Sequence, residues 1–299
     1  MSRIYEALQK AALAQKAEQE STAEHVAEPV AVPGIEEPPP AKVDIVLENI
    51  TQYPWKPSIP SLPTLADHGA GVEQFRSLRS RVYQAHYETP LKTILIASGI
   101  PSEGKSFIAA NLAMSLARNT VNNILLIDGD LRRPTLHNLL GAPNTSGLSD
   151  YLAGNAELID IMQRDLRPET AENASVDRVS NLTFIPSGNC CDNASELVAN
   201  HRIEELIATV SPHFNWILID SAPVLAVTDA VELARAADAV LLIARGARTP
   251  YDVAQHAQTA FVSSRILGFV LNDTKDIPRR GSYYSSYYGG TEAPAEPRR

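Results

Sequence analysis

The sequence predicts an α/β fold in which a mostly parallel β-sheet is flanked by helices. Within residues 91–119 an apolar run (Ile94, Leu95, Ile96, Ala97) leads through a glycine-bounded loop into a helical pattern. Two more apolar runs, 124–127 and 217–219, each end in an aspartate. Strand and helix patterns then alternate as far as Asn272. That alternation is the order of βαβ units, which cross over right-handed into a parallel sheet covered on both faces.

The loop after the first of these runs reads Gly99-Ile100-Pro101-Ser102-Glu103-Gly104-Lys105-Ser106. It matches G-x-x-x-x-G-K-[ST] in the strand, loop, helix context that such a match requires, which makes the fold that of a P-loop NTPase. Gly99 and Gly104 let the backbone curl, so that successive N–H groups and the following helix N-terminus point at one phosphate chain. Lys105 then reaches the terminal phosphates and Ser106 ligates Mg²⁺. The bland alternative is a glycine turn that holds a lysine. The second run ends in Asp128-Gly129-Asp130, at the strand end where open α/β sheets bind ligands. Two carboxylates on one side of an extended chain are costly without a metal or a proton in transit. A turn with two solvated acids is the competing reading. Asp220 closes the third run in the same way and is expected to hold the magnesium shell.

The remaining elements follow in order. Residues 1–18 read as a short helix capped by Ser2, with Ile4, Ala7, Leu8, Ala11 and Ala14 on one stripe that needs a surface to dock on. Residues 19–66 are rich in proline, including Pro38, Pro39, Pro40, Pro54, Pro57, Pro60 and Pro63, and read as an extended, disordered linker. Residues 43–47 are its one candidate strand or docking patch. The α/β domain is expected over 67–276. It opens on a helix over 71–83 whose Glu73, Arg76 and Arg79 share one side. They read as a solvated charged face or as an intersubunit ion-pair surface. Further strands are expected over 182–186, 240–245 and 266–272, helices over 228–237 and 251–261, and irregular chain over 165–180. The tail, 277–299, sets Tyr283, Tyr284, Tyr287 and Tyr288 among glycine and serine that cannot build a core. It is either a low-complexity end or a substrate for the site upstream.

Composition excludes several classes. The formal net charge of -9 argues against a nucleic-acid partner. No apolar run approaches a membrane span, and the N-terminus lacks the apolar core of a signal peptide, so a cytoplasmic protein is expected. Two adjacent cysteines, Cys190 and Cys191, allow neither a disulfide framework nor a four-cysteine zinc site.

The motif order resembles the bacterial tyrosine kinases, the BY-kinase family of capsular and exopolysaccharide synthesis and export. The resemblance rests on Glu73-x-x-Arg76-x-x-Arg79, the loop 99–106, Asp128-Gly129-Asp130-Leu131-Arg132, Asp220-Ser221-Ala222-Pro223, Val227-Thr228-Asp229-Ala230 and the tail tyrosines. Partition and septum-positioning ATPases are the nearest rival. Their signature lysine would stand at position 100, where this chain has Ile100. The resemblance implies ATP and Mg²⁺ held by Gly99, Pro101, Ser102, Glu103, Gly104, Lys105, Ser106 and Phe107, with Asn272 at the base. It implies Lys105 on the β and γ oxygens, and metal held by Ser106, Asp128 and Asp220. Asp128 is expected as the base that takes the tyrosine proton and Asp130 as a second metal or positioning carboxylate, the two roles being interchangeable on the sequence. Arg132 is expected to hold the acceptor or the phosphates. The resemblance further implies autophosphorylation at Tyr283, Tyr284, Tyr287 and Tyr288, and a homo-oligomeric ring through Glu73, Arg76 and Arg79. It implies a transmembrane chain-length regulator as activator and recruiter to the inner membrane face, and a cognate tyrosine phosphatase. Cys190, Cys191 and Ala194 stand where the family's loop usually carries prolines. A non-phosphorylating ATP-binding switch in an export assembly is the alternative function.

Overall fold

The computed structural model describes residues 45–57, 59–66, 68–166, 181–191 and 193–274. Among them lie eight strands of one sheet: β1 (Thr51–Tyr53), β2 (Thr93–Ser98), β3 (Ile124–Asp128), β4 (Gln163–Asp165), β5 (Leu182–Ile185), β6 (Trp216–Asp220), β7 (Ala239–Arg245) and β8 (Ile266–Asn272). Their order across the sheet is β1-β4-β5-β3-β6-β2-β7-β8. Every pairing is parallel except β4 with β5. The central strands β2, β3 and β6 are buried along their whole length and apolar in their interiors because both their faces are covered. Helices α1 (Ala70–Glu88), α2 (Lys105–Ala117) and α3 (Leu136–Leu140) share one core with Ile94, Ile96, Leu126 and Leu218. On the opposite face α4 (Leu148–Leu152), α5 (Ala194–Val198), α6 (Arg202–Val210), α7 (Asp229–Arg235) and α8 (Tyr251–Ala260) share the other with Leu95, Ala97, Ile127 and Ile219. The period of two along β2 thus feeds two cores at once.

The strands and helices expected from Ile94 onward are present with bounds shifted by a few residues at most. The first helix runs on to Glu88 and stops before Pro90, which disfavours the helical conformation in the residue ahead of it. The stretch expected as irregular from 165 contributes the end of β4, and residues 167–180 lie outside the described residues.

The proline-rich segment differs from its expectation. Its described residues between 45 and 66 form short 3-10 turns (Leu47–Asn49, Ile59–Ser61, Pro63–Leu65) and one short strand, and they are folded onto the domain. β1 pairs with β4, and Ile45, Ile50, Trp55, Leu62 and Leu65 are buried. The indole of Trp55 meets the Phe184 ring edge-on at 6.0 Å. Asn111 of α2, fully buried, accepts the Thr64 hydroxyl at 2.8 Å and donates to the Ser61 carbonyl at 3.1 Å. Chain without regular hydrogen bonds of its own needs such partners when buried. Residues 1–18 and 277–299 lie outside the described residues.

Leu62 is fully buried, so Leu62→Ala should lower unfolding stability by about 2–4 kcal/mol in urea titration. An unchanged midpoint would return the segment to linker status.

Candidate functional site

The loops that follow β2, β3 and β6 meet at one edge of the sheet. Asp128 and Asp220 are paired neighbours in the β3–β6 register, and Ile96 of β2 stands opposite Asp220. Gly129 is required between the two acids of the second loop: its N–H donates to the Asp220 carbonyl at 2.9 Å, and a Cβ there would come within 2.6 Å of that oxygen. Gly104 has φ +95°, and a Cβ would meet the Asn272 amide nitrogen at 2.0 Å. Both conditions exclude a side chain.

A cavity of about 690 Å³ opens here, lined by Pro101, Ser102, Gly104, Lys105, Ser106 and Phe107 of the first loop and by Asp130, Arg132, Arg133 and Thr135 of the second. Asn138 and Leu139 of α3 and Ala222, Pro223, Ala226 and Val227 of the third loop complete it. Lys105 is 7 % exposed and heads α2, a helix buried all round. Behind the cavity lies Asp220, fully buried, and neither carboxylate oxygen has a hydrogen-bond partner. Burial pushes its pKa up to about 6, opposed chiefly by the Lys105 charge. Asp128 is also fully buried and is raised well above the usual carboxylate range, chiefly by burial and then by the Asp220 charge. Its two oxygens accept the N–H groups of Asp130 at 3.3 Å and Leu136 at 3.1 Å.

Several expected residues sit differently from the sequence reading. Asp130, not Asp128, lines the cavity, because β3 ends at Asp128 and the chain turns outward after Gly129. The Glu103 side chain faces inward, with its carboxylate accepting the Ile100 N–H at 3.0 Å. Gly99 packs toward Val253, which a Cβ would touch at 3.0 Å. Asn272 donates to the Glu103 carbonyl at 2.9 Å. It borders a second cavity of about 450 Å³ shared with Phe107, Asp273, Thr274 and residues of α1. Arg132 lines the main cavity but is engaged by Asp229 at 2.9 Å and Ser195 at 2.8 Å. On α1, Glu73 and Arg76 pair with each other, and Arg79 donates to the Ser115 carbonyl on α2. The four tail tyrosines lie outside the described residues.

Thr135 and Thr249 carry no motif signal, and Ser195 lies in a stretch, 188–197, that resembles a family loop without a role assigned to it there. The Thr135 hydroxyl donates to Ser106 at 2.8 Å, and Ser195 donates to Asp229 at 2.6 Å. Each meets its partner only because distant loops converge.

The sheet and the loop define a phosphate-loop nucleotide-binding protein. No protein-family model matches the chain. It is 35 % identical over 218 residues to tyrosine-protein kinase Wzc of Salmonella typhimurium, spanning 72 % of this chain and 28 % of that protein. It is 32 % identical over 219 residues to tyrosine-protein kinase YwqD of Bacillus subtilis, spanning 73 % of this chain and 86 % of that protein. The kinase domain of the Escherichia coli tyrosine kinase ETK superposes with a TM-score of 0.63 at 31 % identity, over 79 % of this chain and 89 % of that one. The chain belongs to the bacterial tyrosine kinase family.

The residues fit a divalent cation. A buried carboxylate without a partner beside a phosphate loop is what a magnesium shell satisfies, although no three His, Cys, Asp or Glu side chains among the described residues form a closed cage. Asp220 ordinarily titrates at 3.8 and in the fold at about 6. Its folded pKa is raised, so its contribution is intact below about pH 4 and is lost as pH rises through about 6. Asp220→Asn should therefore raise the melting temperature of the nucleotide-free chain by several degrees at about pH 8, and by clearly less at about pH 5. An equal gain at both would contradict the buried-charge account.

Proposed function

We propose that the chain is an ATP-dependent protein-tyrosine autokinase acting on Tyr283, Tyr284, Tyr287 and Tyr288 of neighbouring copies. The observation that carries this is the main cavity, where Lys105, Ser106 and Asp130 share one opening with the apolar wall of Phe107, Leu139, Pro223 and Val227. Charged groups suit a phosphate chain, and an apolar wall suits a phenol ring.

Lys105 and the loop N–H groups bind and orient the phosphates, which is where catalysis of phosphoryl transfer is won. Ser106 and Asp220 would hold Mg²⁺, with Asp128 behind them. Bound there, the ion supplies charge neutralisation on the transferring group. The tyrosine oxygen attacks the γ-phosphorus, the bond to the β–γ bridging oxygen breaks, and ADP departs. Asp130 takes the phenol proton, because Asp128 is withdrawn from the cavity and its oxygens are already bonded to backbone N–H groups. Arg132, fixed by Asp229, forms the rim on the acceptor side. The second cavity, beside Asn272, receives the base.

The same reading makes Glu73 and Arg76, exposed on α1, part of a homo-oligomeric contact. Phosphates on four crowded tyrosines repel, and their accumulation loosens the ring. A transmembrane polysaccharide chain-length regulator recruits and activates the protein at the inner membrane face. A cognate phosphatase resets it, and the cycle regulates exopolysaccharide synthesis and export.

Incubation with ATP and Mg²⁺ followed by intact-mass measurement tests the chemistry. Whole-phosphate increments should appear and map to the tail. They should vanish in Lys105→Met and fall stepwise as the four tyrosines are replaced by Phe. ATP binding without increments, with the cytoplasmic segment of a membrane regulator added, would favour a nucleotide switch instead.

A further inference from the structure

In a phosphate loop the backbone N–H groups are the anion-binding surface, so whatever fixes their direction governs affinity. Here the residue before the second glycine, Glu103, is 2 % exposed and turned away from the cavity. One carboxylate oxygen accepts the Ile100 N–H at 3.0 Å, closing a turn within the loop. The other accepts the Thr249 hydroxyl. Thr249 lies between β7 and α8, and its oxygen accepts the Arg245 N–H at 2.8 Å. Arg245 pairs with Asp273 just past β8 at 2.7 Å. From the other side, the Asn272 amide holds the Glu103 carbonyl.

The loop needs this support. Ser102 has φ 65° and Gly104 φ 95°, and an L-residue such as Ser102 enters the left-handed region only at a cost. A carboxylate beneath a phosphate site also opposes the ligand's charge. Its place there is explained by the geometry that it holds.

We propose that Glu103 and Thr249 are positioning residues. They latch the phosphate loop to the ends of β7 and β8, so that its N–H groups are set before nucleotide arrives. The proposal rests on the nucleotide-site reading above and adds a pair that acts through the loop rather than on the ligand.

Titration of the full chain with a fluorescent ATP analogue and Mg²⁺ tests the latch. Thr249→Val should weaken binding roughly tenfold, the loss expected for a hydrogen bond to a charged group. Thr249→Ser, which keeps the hydroxyl, should bind like the wild type. Glu103→Ala should weaken binding at least as much, and adding Thr249→Val to it should change little more, because the two side chains make one interaction. In the kinase assay Thr249→Val should raise KM for ATP and leave kcat within about twofold. Equal binding by the Val and Ser variants would overturn the latch. So would fully multiplicative losses in the double variant, or affinities that simply follow melting temperature. A wild-type chain that binds no analogue would overturn the nucleotide-site reading itself, and the latch with it.

Discussion

The structure turns on a charge that the fold buries without a partner. Asp220 sits at full burial at the end of a central strand, directly opposite Asp128 in the β3–β6 register and within the field of Lys105. A carboxylate withdrawn from water is costly unless it is paired or proton-bound. Neither oxygen of Asp220 is hydrogen-bonded, while both of Asp128 are. The two acids are therefore not equivalent: the oxygens of one are bonded to backbone N–H groups and those of the other are not. Much of the surrounding construction serves this inequality. Gly129 lets β3 and β6 close tightly, α3 offers its Leu136 N–H to Asp128, and Lys105 enters from a helix that has no exposed face.

What was legible in the sequence was what is local. The run from β2 through the loop into α2 is contiguous, so its motif and its context could be read together. The aspartates closing β3 and β6 were legible because each follows an apolar run. Strand order was not, since nothing in either run states that β6 inserts between β2 and β3. The direction of Glu103 was equally hidden. A motif gives spacing, whereas the inward turn of this side chain depends on Thr249, 146 residues away.

Residues 45–66 failed for a different reason. Prolines impose extended chain, and extended chain with no apolar period reads as linker. Trp55, Leu62 and Leu65 follow no repeat, yet all three join one core with Phe184 and the apolar residues of α1 and α2. The polar half of the docking is supplied by Asn111 of α2, which bonds the Thr64 hydroxyl and the Ser61 carbonyl. Burial of an irregular segment is fixed by the surface beneath it, and that surface is nonlocal.

The same distinction separates the two sides of the cavity. On the phosphate side, one contiguous loop supplies most groups, and its Glu103 is bonded to Thr249 beyond β7 and to Asn272 of β8. On the opposite side, Arg132 from the loop after β3, Asp229 from the start of α7 and Ser195 from α5 close a compact network: arginine to aspartate at 2.9 Å, arginine to serine at 2.8 Å, serine to aspartate at 2.6 Å. Asp229 is 1 % exposed, so the arginine beside it answers a buried charge and loses freedom to chase a ligand. Arg132 is in this arrangement a fixed wall rather than a mobile clamp. Under the proposed function, selection of the acceptor falls to shape and to the apolar surface of Leu139, Pro223 and Val227, while the charged groups of the same cavity are left to the phosphates. Under the autokinase reading proposed above, a site divided in this way would hold its nucleotide firmly and release each tyrosine after a single transfer.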